Sequence, residues 1–222
     1  MKTSRFVVVS ILCALSGAAL SANDLSRYRE FQLGTDLAAV AKQAHSEPPA
    51  AKVIQQRPAL LQELTWRPQT FGSPTEPVRS MLFSFYNGEL YQIGIDYDSN
   101  RTEGMSTSDM VEAIAANYGP AAAPPVPVKT PEQYGETDET LASWENNDDS
   151  VRLVRRAYSH EFALIMVEKK LVTLAESSIV TAKRLDVQEA PEREVARARA
   201  EADAARVKSE QARSKNIPNF RP

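Results

Sequence analysis

The spacing of apolar positions changes along the chain, and each change marks an element. In YREFQLGTDLAAVAKQAH, from Tyr28, the residues Leu37, Val40, Ala41 and Ala44 recur at helical intervals. Thr35 is placed to cap that helix, and Pro48–Pro49 prevents it from running on. A short strand over Leu61–Trp66 follows, closed by Pro68. SMLFSFYNGELYQIGIDYD then alternates with strand period on either side of Asn87–Gly88, a hairpin signature. A two-residue turn places Phe83 opposite Gln92 and Met81 opposite Gly94. A three-residue loop, Tyr86-Asn87-Gly88, places Phe83 opposite Tyr91 and Met81 opposite Ile93, with Gly88 at the left-handed position. A one-residue slip turns every side chain over, so the apolar match favours the longer loop. Met81, Phe83, Tyr91, Ile93 and Ile95 then share one face. Leu82, Ser84, Leu90, Gln92 and Asp96 share the other, more polar face, which can stay open to water.

The plan then restarts. MSTSDMVEAIAANYG sets Met110, Ala113, Ile114 and Tyr118 at helical spacing behind Ser106 or Thr107 as cap, and Gly119–Pro120 stops it. A proline-rich connection runs to Thr137. Three strand-like runs follow, at 141–145, 151–157 and 162–168, separated by the turn-forming ENNDDS and YSHE. A helix and three strands, twice over, reads as an internal duplication of architecture, with slight residue identity between the halves.

From Leu171 the period is helical again. Leu171, Leu174, Ala175, Ser178, Ile179, Ala182 and Leu185 form a stripe that should pack on the domain. Pro191 is expected to open a further helix, charged all round, with Glu194–Arg197, Asp203–Arg206 and Glu210–Arg213 spaced for ion pairs. Val195, Ala198, Ala202, Ala205, Ser209 and Ala212 fall in a heptad seam of small side chains. The predicted fold class is α+β. Two α-βββ repeats form one antiparallel sheet with helices on one face, followed by a long C-terminal helical extension. The boundaries read from the sequence are 1–22 for a leader, 26–98 and 99–168 for the repeats, and 169–222 for the extension.

Composition adds location and removes several chemistries. Lys2 and Arg5, an apolar run from Phe6, and small residues to Ala22 have the layout of a signal peptide, with cleavage expected after Ala22. Phe6 to Leu20 spans 15 residues, below the ~20 of a membrane-spanning helix. An exported chain, periplasmic or secreted, is expected, with no membrane span. Cys13 follows Leu12 rather than the small residue a lipoprotein signal requires. Loss of the leader removes that cysteine and two basic charges, taking the net charge from −3 to −5. The domain must then be held by its apolar core, without disulfides. A mildly acidic chain gives no electrostatic ground for a nucleic acid partner.

The candidate chemistry is thin. DYDSNRTEGMST opens like a calcium loop at Asp96, Asp98 and Asn100, but Arg101 and Thr107 stand where the glycine and the bidentate glutamate belong. The expectation there is a strand end, a turn and a capped helix, and for ENNDD (145–149) a hairpin turn. His160 begins HEFAL, with Leu164 where a zinc-protease motif needs its second histidine. His45 lies at a helix end, where an imidazolium offsets the helix dipole. GMSTS (104–108) has Ser in place of the second glycine of a nucleophile elbow, and no phosphate-cradling glycine motif occurs. The expectation is no catalytic residue, no metal and no cofactor. A carboxylate pair such as Glu145 with Asp148 keeps an envelope hydrolase as an alternative.

What remains is surface. Arg152 and Arg156 flank Val154 on one face of their strand, either as an amphipathic strand's wet side or as anchors for a partner. Trp66 and Trp144 either join that face or fill the core. YREFQLGTDLAAV and GMSTSDMVEAIAANYG, each a capped helix before antiparallel strands, resemble the β-lactamase-inhibitor-protein-like and outer-membrane assembly lipoprotein domains over about residues 28–168. This chain departs from them in lacking the inhibitor family's disulfides and the lipoproteins' anchor cysteine, and in its long charged helix. The resemblance implies a sheet with helices on one side and a face free for protein contact. The function read from the sequence is therefore an exported, non-catalytic binding module with a protein partner in the cell envelope. In the alternative, the tail 191–222 mediates assembly with another chain. No residue pattern sets an oligomeric state.

Overall fold

The computed structural model describes residues 24–46, 50–68, 76–122, 138–219 and 221. The leader and most of the proline-rich connection lie outside these residues. A small hairpin, β1 (Arg27–Tyr28) with β2 (Phe31–Gln32), precedes helix α1 (Leu37–Gln43). Then come β3 (Lys52–Gln55), β4 (Leu61–Trp66), β5 (Val78–Tyr86) and β6 (Glu89–Tyr97). Helix α2 (Thr107–Tyr118), β7 (Glu139–Glu145), β8 (Asp149–Arg155), β9 (Phe162–Glu168) and helix α3 (Lys169–Asn216) complete the chain. The fold is α+β.

Seven strands form one antiparallel sheet in the order β3-β4-β5-β6-β9-β8-β7. The two halves join at its centre, where Ile93 lies opposite Met166 and Ile95 opposite Leu164. Their outlines differ: β3 and the β1–β2 hairpin belong to the first half alone among the described residues. Helices α1 and α2 share one face of the sheet. Val40, Ala41, Met110 and Ile114 pack there into one cluster with Phe83, Ile93, Leu153, Leu164 and Met166. Phe31 fixes the small hairpin to this core, its ring centroid 4.6 Å from that of Phe83.

Three local outcomes differ from the sequence reading, each for a physical reason. Asp36 caps α1 in place of Thr35, its Oδ1 accepting from the Ala39 N–H at 3.0 Å. Asp36 itself pairs with Glu89 in an antiparallel bridge, flanked by the Thr35 carbonyl accepting from the Leu90 N–H at 2.9 Å. The chain is therefore still extended at Asp36, and the helix starts one residue later. The β5–β6 hairpin turns on two residues, with Tyr86 opposite Glu89 and both Asn87 (φ 50°) and Gly88 (φ 88°) left-handed. That turn follows the strands' own twist. A bulge at Tyr91 then shifts the ladder, so that Phe83 faces Ile93 and Met81 faces Ile95. The bulge exchanges the roles expected of two residues: Leu90 is fully buried in the core, and Tyr91 is not part of it.

The third difference concerns the tail. α3 runs unbroken through Pro191. Proline removes the N–H that would bond the Val187 carbonyl, but Val187 is exposed, so water can donate there instead. Strong helix formers surround the site. Before Pro191, α3 crosses the second face of the sheet, the one expected to be open, over β9, β6 and β5. Leu171 and Ala175 are buried there, and on the same face lie the buried Leu61, Val154, Ala163 and Val167. Leu174, expected in that stripe, is exposed.

Candidate binding site

The four residues singled out in the sequence do not converge. Trp66 lies opposite Met81, and Trp144 opposite Val151, on the face covered by α1 and α2. Trp144 is buried, its Nε1–H donates to the Gly119 carbonyl at 2.8 Å, and its ring lies 6.4 Å from that of Tyr118. It thereby satisfies a carbonyl at the end of α2, which is a structural task. Arg152 and Arg156 belong to the other face.

These two arginines differ in what holds them. The Arg156 guanidinium donates from Nε and Nη2 to Asp96 Oδ1 at 3.0 and 2.8 Å, and from Nη1 to Asp138 Oδ2 at 2.7 Å. Asp138 also accepts from the Ala157 N–H at 3.1 Å. Arg156 thus joins the end of β6 to the approach to β7, and its charge is spent inside the domain. Arg152 has no hydrogen bond or ion pair with a described residue. Burial depresses its pKa, against the opposing fields of Glu145, Asp138 and Glu176.

The calcium-like stretch is taken up in the same way. Asp96 holds Arg156 and accepts from Ser80 Oγ at 3.1 Å, while Asp98 Oδ1 accepts from the Asn100 N–H at 2.8 Å in a turn. The cap of α2 is Ser106, in a reciprocal capping box with Asp109. Asn146 Oδ1 accepts from the N–H groups of Asp148 and Asp149 at 2.9 and 2.6 Å, closing the β7–β8 turn. Of the carboxylates named there, Glu145 pairs with Lys169 at 3.1 Å. His160 sits in the β8–β9 turn with φ 54°. Among the described residues no group of three or more His, Cys, Asp or Glu is arranged to hold a metal ion.

A site that the sequence reading missed forms where β1, β6 and α2 end together. Tyr28, Tyr97 and Tyr118 line a cavity of about 390 Å³. Ile114 and Leu164 supply its aliphatic walls, and Asp24, Arg27, Arg29 and Asn117 its polar lining. Tyr118 Oη donates to the Arg27 carbonyl at 2.8 Å. Burial pushes the Tyr97 phenol well above its ordinary range, and the neighbouring Tyr28 and Tyr118 add to the shift. Burial likewise raises Tyr118 and Tyr28. All three phenols therefore stay protonated at neutral pH and act as hydrogen-bonding groups, not as bases. Arg29, left-handed at φ 54°, holds Glu76 through two bonds of 3.0 and 2.9 Å and lies 5.5 Å from the Tyr28 ring centroid. The tyrosines come from three distant stretches, and no spacing rule links them. Tyr97 and Tyr118 close a strand and a helix that the pattern predicts, but it predicts no strand at Tyr28.

The fold and this site define an α+β domain with a seven-stranded antiparallel sheet, helices on both faces and a tyrosine-lined cavity at one end. No family model, curated protein or solved structure matches the chain.

Proposed function

We propose that this protein is an exported, non-catalytic assembly module whose sheet domain serves as the base and whose α3 projection engages another chain. The observation that carries the reading is the second part of α3. Every residue from Ala190 to Asn219 is exposed, on a helix continuous with the docked segment. At ~1.5 Å per residue the helical part reaches about 40 Å beyond the domain. Such a helix contributes nothing to the core, yet its nucleation is already met by the docked part, so it can persist in water. Arg197–Glu201 at 2.8 Å and Asp203–Arg206 at 3.1 Å brace its surface. The leader-like start and the resemblance to envelope binding domains support an extracytoplasmic setting.

Deletion of 191–222 tests this reading, because it leaves the docked part of α3 in place. Photo-crosslinkers at Arg199 and Glu210 are expected to give adducts in cell-envelope preparations or with a second copy. The truncated chain is expected to lose the assembly seen for the full chain by light scattering and sedimentation. An unchanged mass and no helix-derived adduct would reject it. A second reading keeps the contact on the sheet beside β8, since Arg152 is half-buried and without an ion partner among the described residues. Arg152→Glu then abolishes assembly while truncation does not.

A further inference from the structure

We propose that the cavity between Tyr28, Tyr97 and Tyr118 binds a small amphiphilic carboxylate, its apolar body against Ile114, Leu164 and the phenol rings, its head on Arg27 and Asn117. The inference does not depend on the α3 projection. A cavity of about 390 Å³ lies in the range of small-molecule sites, and its wall mixes aromatic and aliphatic side chains with charged and amide groups.

The free hydrogen-bond donors of the lining select the ligand class. Two guanidinium groups and one carboxylate line it, and Glu76 holds one of the two guanidiniums, so the charges balance and what distinguishes the site is the N–H donors left over. Arg29 is neutralised by Glu76 and anchored over Tyr28. Arg27 is held less fully: Nη2 donates to Gln32 Oε1 at 2.8 Å, and Nε is 3.5 Å from Asp24. Its guanidinium has five N–H donors, so donors remain for a ligand oxygen. Aromatic rings on three sides also suit an organic cation. Here, however, the Tyr28 ring already carries the Arg29 guanidinium, and Asp24 is engaged by Arg27 and Ser26, so an incoming cation finds no free carboxylate in the lining. A doubly charged oxyanion would set its second charge against Ile114 and Leu164, at high desolvation cost. A single carboxylate on an apolar body fits both halves of the lining. Neutral phenols add hydrogen-bonding capacity without repelling it.

Titration of the full chain with phenylacetate, phenylacetamide and phenethylamine, followed by amide NMR shifts, tests the proposal. Phenylacetate is expected to bind saturably and to move the signals of Ile114, Asn117 and Leu164. The amide and the amine should bind about tenfold or more weakly, the loss of one charged hydrogen bond. Arg27→Gln should weaken phenylacetate by a similar factor with an unchanged melt, since this side chain is half exposed. Ile114→Trp should abolish binding by filling the cavity. Equal or tighter binding of the amide or amine overturns the proposal. So does a phenylacetate affinity indifferent to Arg27→Gln, or the absence of saturable binding.

Discussion

Arg156 and Arg152 leave the same strand on the same face, yet substitution should separate them. Arg156 makes three bonds to two carboxylates and is about one-third exposed. Arg156→Gln strands Asp96 and Asp138 and is expected to cost about 2 kcal/mol, the scale of hydrogen bonds to charged groups. Arg152→Gln removes a partly desolvated charge with no ion partner among the described residues. It should leave stability within about 0.5 kcal/mol. Urea unfolding of the two variants measures the contrast, and equal losses would refute it. Asp149 carries the pH prediction. Burial raises its pKa, and Glu168, opposite it in the ladder, is raised likewise. A carboxyl whose folded pKa is raised binds its proton more tightly in the fold. Its contribution to stability is therefore greatest at acid pH and falls as pH climbs from the unfolded value through the folded one. Asp149→Asn should raise the melting temperature at neutral pH and lose that advantage in acid. Glu76 acts with the opposite sign. Arg29 holds its pKa below the ordinary range, so the stability it gives is present at neutral pH and fades as pH falls. None of this was legible in the sequence, where alternation placed both arginines on one face but not the carboxylates that engage one of them.

At the scale of elements, the β5–β6 hairpin shows how two local rules combine. Asn87–Gly88 demands a two-residue turn, and the apolar pattern demands that Met81 and Phe83 meet Ile95 and Ile93. The bulge at Tyr91 satisfies both. Pattern matching without a bulge had to lengthen the loop instead. Asn87 is also held from outside: its N–H donates to the Leu60 carbonyl at 2.8 Å, and its Oδ1 accepts from the Leu60 N–H at 2.9 Å. A Cβ on Gly88 would meet nothing within 4 Å, so the cost of Gly88→Ala is the left-handed backbone alone. The expected loss is about 1–2 kcal/mol in a thermal or urea melt. A neutral result would mean the turn relaxes freely. Existence and type were legible for the strands β4 to β9 and for α1 and α2, because periodicity and caps are local properties, whereas α3 was expected as two helices parted at Pro191. β3 was not legible: its four residues are mostly exposed and pair with β4 through an irregular register.

For the whole molecule, α3 is two different objects in one helix. Its first part crosses from β9 over β6 and β5, then reaches the first-half edge, where Gln55 Nε2 donates to Ser178 Oγ at 2.7 Å. Arg57 pairs with Glu189 at 2.8 Å just before the helix leaves the domain. This part links the last strand to the far edge of the sheet and shields apolar residues on a face that would otherwise meet water. Beyond Ala190 the helix touches none of that surface, and all its side chains are exposed. Removing a buried side chain from the first part must therefore register in global stability, whereas removing the second part must not. Leu171→Ala, which opens a space beside the sheet, should cost about 2–4 kcal/mol. Deletion of 191–222 should leave the unfolding free energy within about 0.5 kcal/mol, since no buried contact is lost. If the deletion destabilised as much as Leu171→Ala, the projection would be part of the domain's own cooperative unit. A helix with that role would have no need of another chain, and the assembly proposal would lose its physical basis.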